Sequence, residues 1–279
     1  MVLYVFIVDL KLMLCQRRGQ AAIGEVFFIE PIALRICLSF LIINLMSLTA
    51  IRRELKKYAD PERARDSLRF FKTGPHQYGA GDKFLGIKVP VLRRLARDFR
   101  DEPLATSVTL LQSPFHEERL LALFLLVGSY KRGNDVQKKQ IYQLYLQNTR
   151  FINNWDLVDS SAEHVVGAFL AAKNRRKLIT LARSGDLWER RIAMLATFYY
   201  IKDRDFTDAL SIADLLINDQ HDLIHKAVGW MLREIGNRDP VVEKKFLRSR
   251  YKKMPRTMLR YAIEKFPAGE RQRYLRGNI

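Results

Sequence analysis

Thiols are scarce in this chain: its two cysteines, Cys15 and Cys37, both fall within the first 45 residues. Nothing after Met46 can form a disulfide framework or a thiolate zinc site, and a reducing compartment fits. Histidine is nearly as sparse, at five residues. His221 and His225 stand i,i+4, but Asp222-Leu223-Ile224 between them lacks the glutamate of HExxH, and His116-Glu117-Glu118 lacks a second histidine. No metal is expected on that ligand set. Long apolar runs are missing too. The blocks Met1–Leu14 and Phe27–Met46 are interrupted by Asp9, Glu30, Pro31 and Arg35, short of the about 18 apolar residues a bilayer span needs. A signal peptide would want its basic residues ahead of the apolar core, and here the order is wrong. There is no GxSxG elbow and no GxxxxGK[ST] loop, so neither a serine hydrolase nor a P-loop nucleotide site has support.

What is abundant is positive charge. The 279 residues are 48% hydrophobic and 28% charged, enough for a sizeable core and against disorder, and the formal net charge is +18. Residues 1–45 carry four basic and three acidic side chains, a net of +1, so +17 belongs to the remainder. An excess that large attracts polyanions, nucleic acid first among them. Residues 1–45 therefore read as an apolar N-terminal extension, either disordered or the product of an over-long reading of a gene whose natural start is Met46. Residues 46–279 read as one domain.

From Ser47 onward apolar residues recur at i, i+3, i+4 and i+7, which predicts an all-α chain. Ser113-Pro114 followed by Glu117 and Glu118, Asp186 followed by Glu189, Asp222 before Ile224, and Pro255 before Met258 are helix starts, and Gly236 is a helix stop. Arg119, Trp155, Arg191, Lys226 and Arg260 follow one another at intervals of 36, 36, 35 and 34 residues. That period suits a helix pair per unit, with the second helices lining one face of a solenoid. Any single charge on such a face reads as solvated surface; the recurrence points to a binding stripe. The glycine-rich segment Thr73–Gly86 is expected to join two helices, with Asp82 or Lys83 touching a partner, and Lys88 heads the helix that follows.

One stretch stands out chemically. In Phe151–Ser161, Trp155 and Asp159 are i,i+4 and share a helix face, an aromatic beside a carboxylate that asks for a cationic partner. Asp156 reads as a helix-start or structural carboxylate. Lys226, Trp230 and Arg233 share a second face, and Trp188 precedes Arg190 and Arg191. An indole alone reads as core packing; two of the three here have a charged neighbour three or four residues away.

Four motifs in order, Phe84-Leu-Gly-Ile-Lys-Val-Pro90, Asn154-Trp-Asp-Leu-Val-Asp159, Leu187-Trp-Glu-Arg-Arg-Ile-Ala193 and His225–Glu234, resemble the AlkD-type DNA alkylation-repair glycosylases from about Ile51 to about Tyr274. Residues 1–45 match nothing in that family. The resemblance implies a right-handed superhelical solenoid of HEAT-like repeats. It implies a monofunctional, cofactor-free and metal-free hydrolase, monomeric and cytoplasmic at the nucleoid, that excises cationic N3- or N7-alkylated purines from double-stranded DNA without flipping the base into a pocket. Asp159 then looks like the essential carboxylate, with Trp155 and Trp230 flanking it. Arg191 looks like the phosphate contact, and Lys88, Arg190, Lys226, Arg233, Arg119 and Arg260 supply further DNA contacts. Phe70 or Phe71 fills the place of the family's early aromatic. The other reading is a non-catalytic HEAT-like module that binds DNA or RNA structure; a protein-interaction scaffold would not need the +17 body.

Overall fold

A computed structural model describes residues 31–279, and among them the regular structure is helical apart from one isolated bridge, Lys83 to Phe115. The expectations about the first apolar block, Cys15 and most of the N-terminal extension lie outside the described residues. Helix α1 spans Pro31–Lys57. By contacts the chain divides into Met1–Ile43 and Asn44–Ile279, and the second unit carries all that follows. Among the described residues no helix is long and apolar enough to cross a membrane.

Within that unit the helices are α2 Pro61–Phe70, α3 Val89–Asp98, α4 Leu104–Leu111, α5 His116–Arg132, α6 Asp135–Gln147 and α7 Trp155–Asp159. A π-helical turn, Glu163–Gly167, leads into α8 Ala168–Leu170, followed by α9 Arg176–Ala182, α10 Leu187–Ala196 and α11 Phe198–Lys202. The last are α12 Thr207–Leu215, α13 Asp222–Gly236, α14 Pro240–Arg248, α15 Arg256–Ala262 and α16 Ala268–Arg276. Side by side, α5, α7, α10, α13 and α15 pack into one row, backed by α4, α6, α9, α12 and α14. Arg119, Trp155, Arg191, Lys226 and Arg260 lie one on each helix of that row, which is the physical content of the 34-to-36-residue period.

Local rules account for most helix ends. Asp186 accepts from the backbone N–H groups of Trp188 and Glu189, Asp239 from those of Val241 and Val242 ahead of a proline, and Asn134 forms a reciprocal capping box with Gln137. Two starts differ from expectation. His221, through Nδ1, caps α13 in place of Asp222, and Ser113 bonds the Phe115 N–H one residue before α5 begins. The helix row packs closely because Gly229 on α13 has no side chain: a Cβ there would run into the Met258 carbonyl and the Tyr261 side chain on α15.

Candidate active site

The site is built where the glycine-rich loop, α5, α7 and α10 meet. The loop enters from α2 through Phe70 and Phe71 and leaves through Phe84-Leu-Gly-Ile. Gly86 has φ +78°, and a side chain there would strike the Asp60 carbonyl, so only glycine serves. The buried Glu117 carboxylate accepts from the N–H groups of Leu85 (2.9 Å) and Gly86 (2.7 Å), tying this motif to the first turn of α5.

Helix α7 is five residues long and is held from its start. Asn154, fully buried, takes the Trp155 N–H at 2.9 Å and points its own amide at Asp82 Oδ2, 3.4 Å away. Of Asp82 and Lys83, either of which was expected to touch a partner, Lys83 is exposed, while Asp82 is 7% exposed, receives Arg119 Nη2 at 2.7 Å and faces His116 Nδ1 at 3.4 Å. The other ring nitrogen of His116, Nε2, lies 2.8 Å from Asp156 Oδ2. Burial disfavours a charged imidazole, but Asp156 and Asp82 outweigh it and lift the His116 pKa to about 9. Burial likewise opposes the Asp82 carboxylate, and His116 and Arg119 override it, so the pKa of Asp82 is lowered. Two anions and two cations thus sit matched beneath α7.

Aromatic rings cover this network. Phe71 stacks on Trp155 at 5.5 Å and on Phe84 at 5.1 Å, and both phenylalanines lie against the His116 ring, at 4.7 and 4.9 Å. Phe70, 65% exposed, meets Trp155 edge-on at 5.9 Å. Both candidates for the early aromatic therefore reach Trp155.

Asp159, one turn along α7, is gripped by Arg191 from α10 through two parallel bonds, Nε to Oδ1 and Nη2 to Oδ2, each 2.8 Å. Arg191 Nη1 also donates to the Leu223 carbonyl at the head of α13. Burial raises the Asp159 pKa; Arg191 opposes that rise and Asp156 adds to it, leaving it above the ordinary value. Tyr78, from the glycine-rich loop, closes the neighbourhood. Burial raises its hydroxyl pKa, modulated by Trp155, Lys226, Asp156 and Arg191, and its ring meets Trp188 edge-on at 5.9 Å.

The remaining expected residues divide by exposure. Trp230 on α13 is half-buried against Phe198 and donates Nε1 to Glu234. Lys226 pairs with Asp222 at 2.7 Å, Arg190 with Asp219 at 2.7 Å, and Arg233 with Glu264. Lys88 and Arg260 are exposed and form no ion pair among the described residues. Arg119 differs in placement from the sequence reading: at 4% exposure, bonded to Asp82 and to the Ser113 carbonyl, it faces the interior. Its regular place in the repeat is real, but the loop that carries Asp82 covers it. Tyr78 and His116 are neighbours of the site that the sequence did not assign to it, and Asp82 was expected against a partner; for Tyr78 and Asp82 the one available signal was the glycine density of their loop, and His116 on α5 had none.

A row of second helices presenting a carboxylate, an indole and cations defines a helical-repeat protein with an acidic-aromatic site. The family of DNA alkylation repair enzymes matches over residues 51–266, most of the chain, and the protein belongs to that family. Among solved structures, a predicted DNA alkylation repair enzyme from Enterococcus faecalis is similar at 17% identity and a TM-score of 0.60, covering 75% of this chain and 97% of that one. AlkD2 from Streptococcus mutans is similar at 18% identity and a TM-score of 0.47, covering 80% of this chain and 99% of that one. No curated protein matches the sequence. The family assigns a role in DNA alkylation repair.

Proposed function

We propose that the protein is a monofunctional glycosylase that hydrolyses the N-glycosidic bond of cationic N3- or N7-alkylated purines in double-stranded DNA and leaves an abasic site. The observation that carries this is the Asp159 carboxylate, held bidentately by Arg191 one turn from the Trp155 ring. An alkylated purine is already cationic, so it departs readily and leaves an oxocarbenium-like sugar. A fixed carboxylate stabilises that charge and orients the attacking water, as carboxylates do in glycoside cleavage. Because its position is fixed in advance, no reorganisation is needed as charge develops.

The faces of Trp155 and Trp230 suit a positively charged, partly desolvated group through cation–π attraction. In this reading Arg191, at 4% exposure with Nε and Nη2 on Asp159 and Nη1 on the Leu223 carbonyl, positions the carboxylate in place of the phosphate contact expected of it. Phosphate contact falls to the exposed Lys88 and Arg260 and to Lys226 and Arg233, whose half-exposed acidic partners phosphates can displace, while Arg190 is held by the buried side chain of Asp219 and by the Ser184 and Gly185 carbonyls. We further propose a monomer that works on chromosomal DNA in the cytoplasm.

Base release from duplex DNA containing 7-methylguanine tests this reading. Asp159→Asn should lower the single-turnover rate by about 100-fold or more while duplex affinity holds, by analogy with the loss of one electrostatic stabiliser. Equal release by both proteins overturns the role of Asp159. Tight binding of undamaged or branched DNA by the wild type with no base release favours the non-catalytic module.

A further inference from the structure

Beneath the proposed site lies a buried histidine for which the glycosidase chemistry has no use. His116 is 2% exposed, opens α5 and spans two carboxylates from different parts of the chain, Asp82 of the glycine-rich loop and Asp156 of α7. Its backbone N–H is bonded to the Lys83 carbonyl at 2.8 Å, so ring and backbone are both anchored. Asp156 in turn holds the Leu157 N–H at 2.9 Å inside α7, and it stands three residues before Asp159, within the same turn. The order in space is Asp82, His116, Asp156, Asp159, Arg191, with a cation beside each anion.

We propose that His116 is a positioning residue of this site: it neutralises Asp156 through Nε2 and thereby fixes the start of α7 and favours the charged form of the Asp159 carboxylate. This rests on the glycosylase reading only for its catalytic consequence; the electrostatic link stands on the geometry alone. A negative Asp156 raises the pKa of Asp159, and Arg191 is the cation that counters it directly. A protonated His116 removes the source of that repulsion, and with a pKa of about 9 it is protonated at neutral pH. The groups facing His116 are Asp82 from the loop, Asp156 from α7 and Arg119 from its own helix, with Phe71 and Phe84 against the ring. Arg119 is committed to Asp82, which leaves the imidazolium to Asp156. Those facing Asp159 are Arg191 from α10 and Asp156 from α7, and the Tyr145 hydroxyl from α6 senses its charge. The two phenylalanine faces favour the cation. Because Phe71 also stacks on Trp155, the same ring that packs on His116 aligns the indole.

Carboxyl titration by carbon NMR of the full chain without DNA tests the link, with the Asp159 signal assigned from Asp159→Asn. In His116→Gln the Asp159 midpoint should move up, because Asp156 is left without its cation; in Asp156→Asn it should move down. In the Asp156→Asn background, adding His116→Gln should change it little. A residue with only a structural role would not drive the two single variants in opposite directions. Unmoved midpoints, or shifts of the same sign, overturn the proposal, and Asp156→Asn decides the matter if His116→Gln does not fold. Base release is the second readout: the acid limb of its pH profile should follow the same two directions, with release by His116→Gln about tenfold lower at neutral pH and duplex affinity held, as for a displaced catalytic group. No base release by the wild type would sink the glycosylase reading, while the carboxyl titration would still judge His116.

Discussion

The two flanks of the proposed site satisfy their charges in different ways. Around α7 the cations are buried and the carboxylates at most partly exposed, and all are matched: Asp82 with Arg119, Asp156 with His116, Asp159 with Arg191. Along α13 and α15, Lys226 and Arg233 meet partners that are half exposed, and Arg260 stands in solvent. The difference corresponds to two tasks. Stabilising a developing positive charge requires a carboxylate whose position does not relax, which burial and paired hydrogen bonds provide. Binding a polyanion requires cations that can exchange their counterions for phosphates, which burial would prevent.

Breaking one charge on each flank should expose this contrast most strongly. Asp82→Ala leaves Arg119 buried without its anion, while His116 keeps Asp156, and is expected to cost about 3–5 kcal/mol in denaturant unfolding, the range for a broken buried pair. Asp222→Ala removes the partner of Lys226, and an exposed pair of that kind is worth under about 1 kcal/mol. Equal losses in the two variants would mean that the flanks do not differ.

A second contrast is within the body's interior, where not every buried charge is matched. Glu243 at 2% exposure has one carboxylate oxygen without a partner, and burial lifts its pKa to about 8, with Lys244 opposing and Glu270 adding to the rise. The folded protein therefore keeps a proton that the unfolded chain gives up above the ordinary value of 4.5. Stability from this residue is full below pH 4.5 and is lost as pH rises to about 8. Glu243→Gln should gain on the wild type across that window in thermal melts, and a constant offset from acid to neutral pH would contradict the assignment. His116 acts in the same direction but later: its contribution is full below 6.5 and is lost as pH rises through about 9.

The smallest effect sharpens the contrast on the DNA side. Arg260→Ala should reduce the salt slope of duplex binding by about one and leave stability nearly unchanged, as for one lost phosphate contact. Arg119→Ala, at the equivalent place in the repeat, should destabilise the fold without changing the slope. A slope change in Arg119→Ala would restore it to the DNA-contacting set.

The sequence by itself determined the elements and their order. Helical periodicity, the Asp186 cap, the prolines at helix starts and the 34-to-36-residue recurrence depend on neighbours within a turn or on a repeated pattern, and both are legible in one dimension. It also singled out Trp155 and Asp159, because i,i+4 neighbours share a face in any helix. Only the tertiary structure decided which charges are buried. The partners of the network lie 34, 40, 37 and 72 residues apart, joining Asp82 to His116, His116 to Asp156, Asp82 to Arg119 and Asp82 to Asn154. No periodicity marks such pairs, so Arg119 read as surface, and Asp156 read as a helix-start or structural carboxylate with no named partner. What separates Arg119 from Arg260 is whether a loop happens to cover it, and the burial of a charge is a property of the packed chain and not of its local sequence.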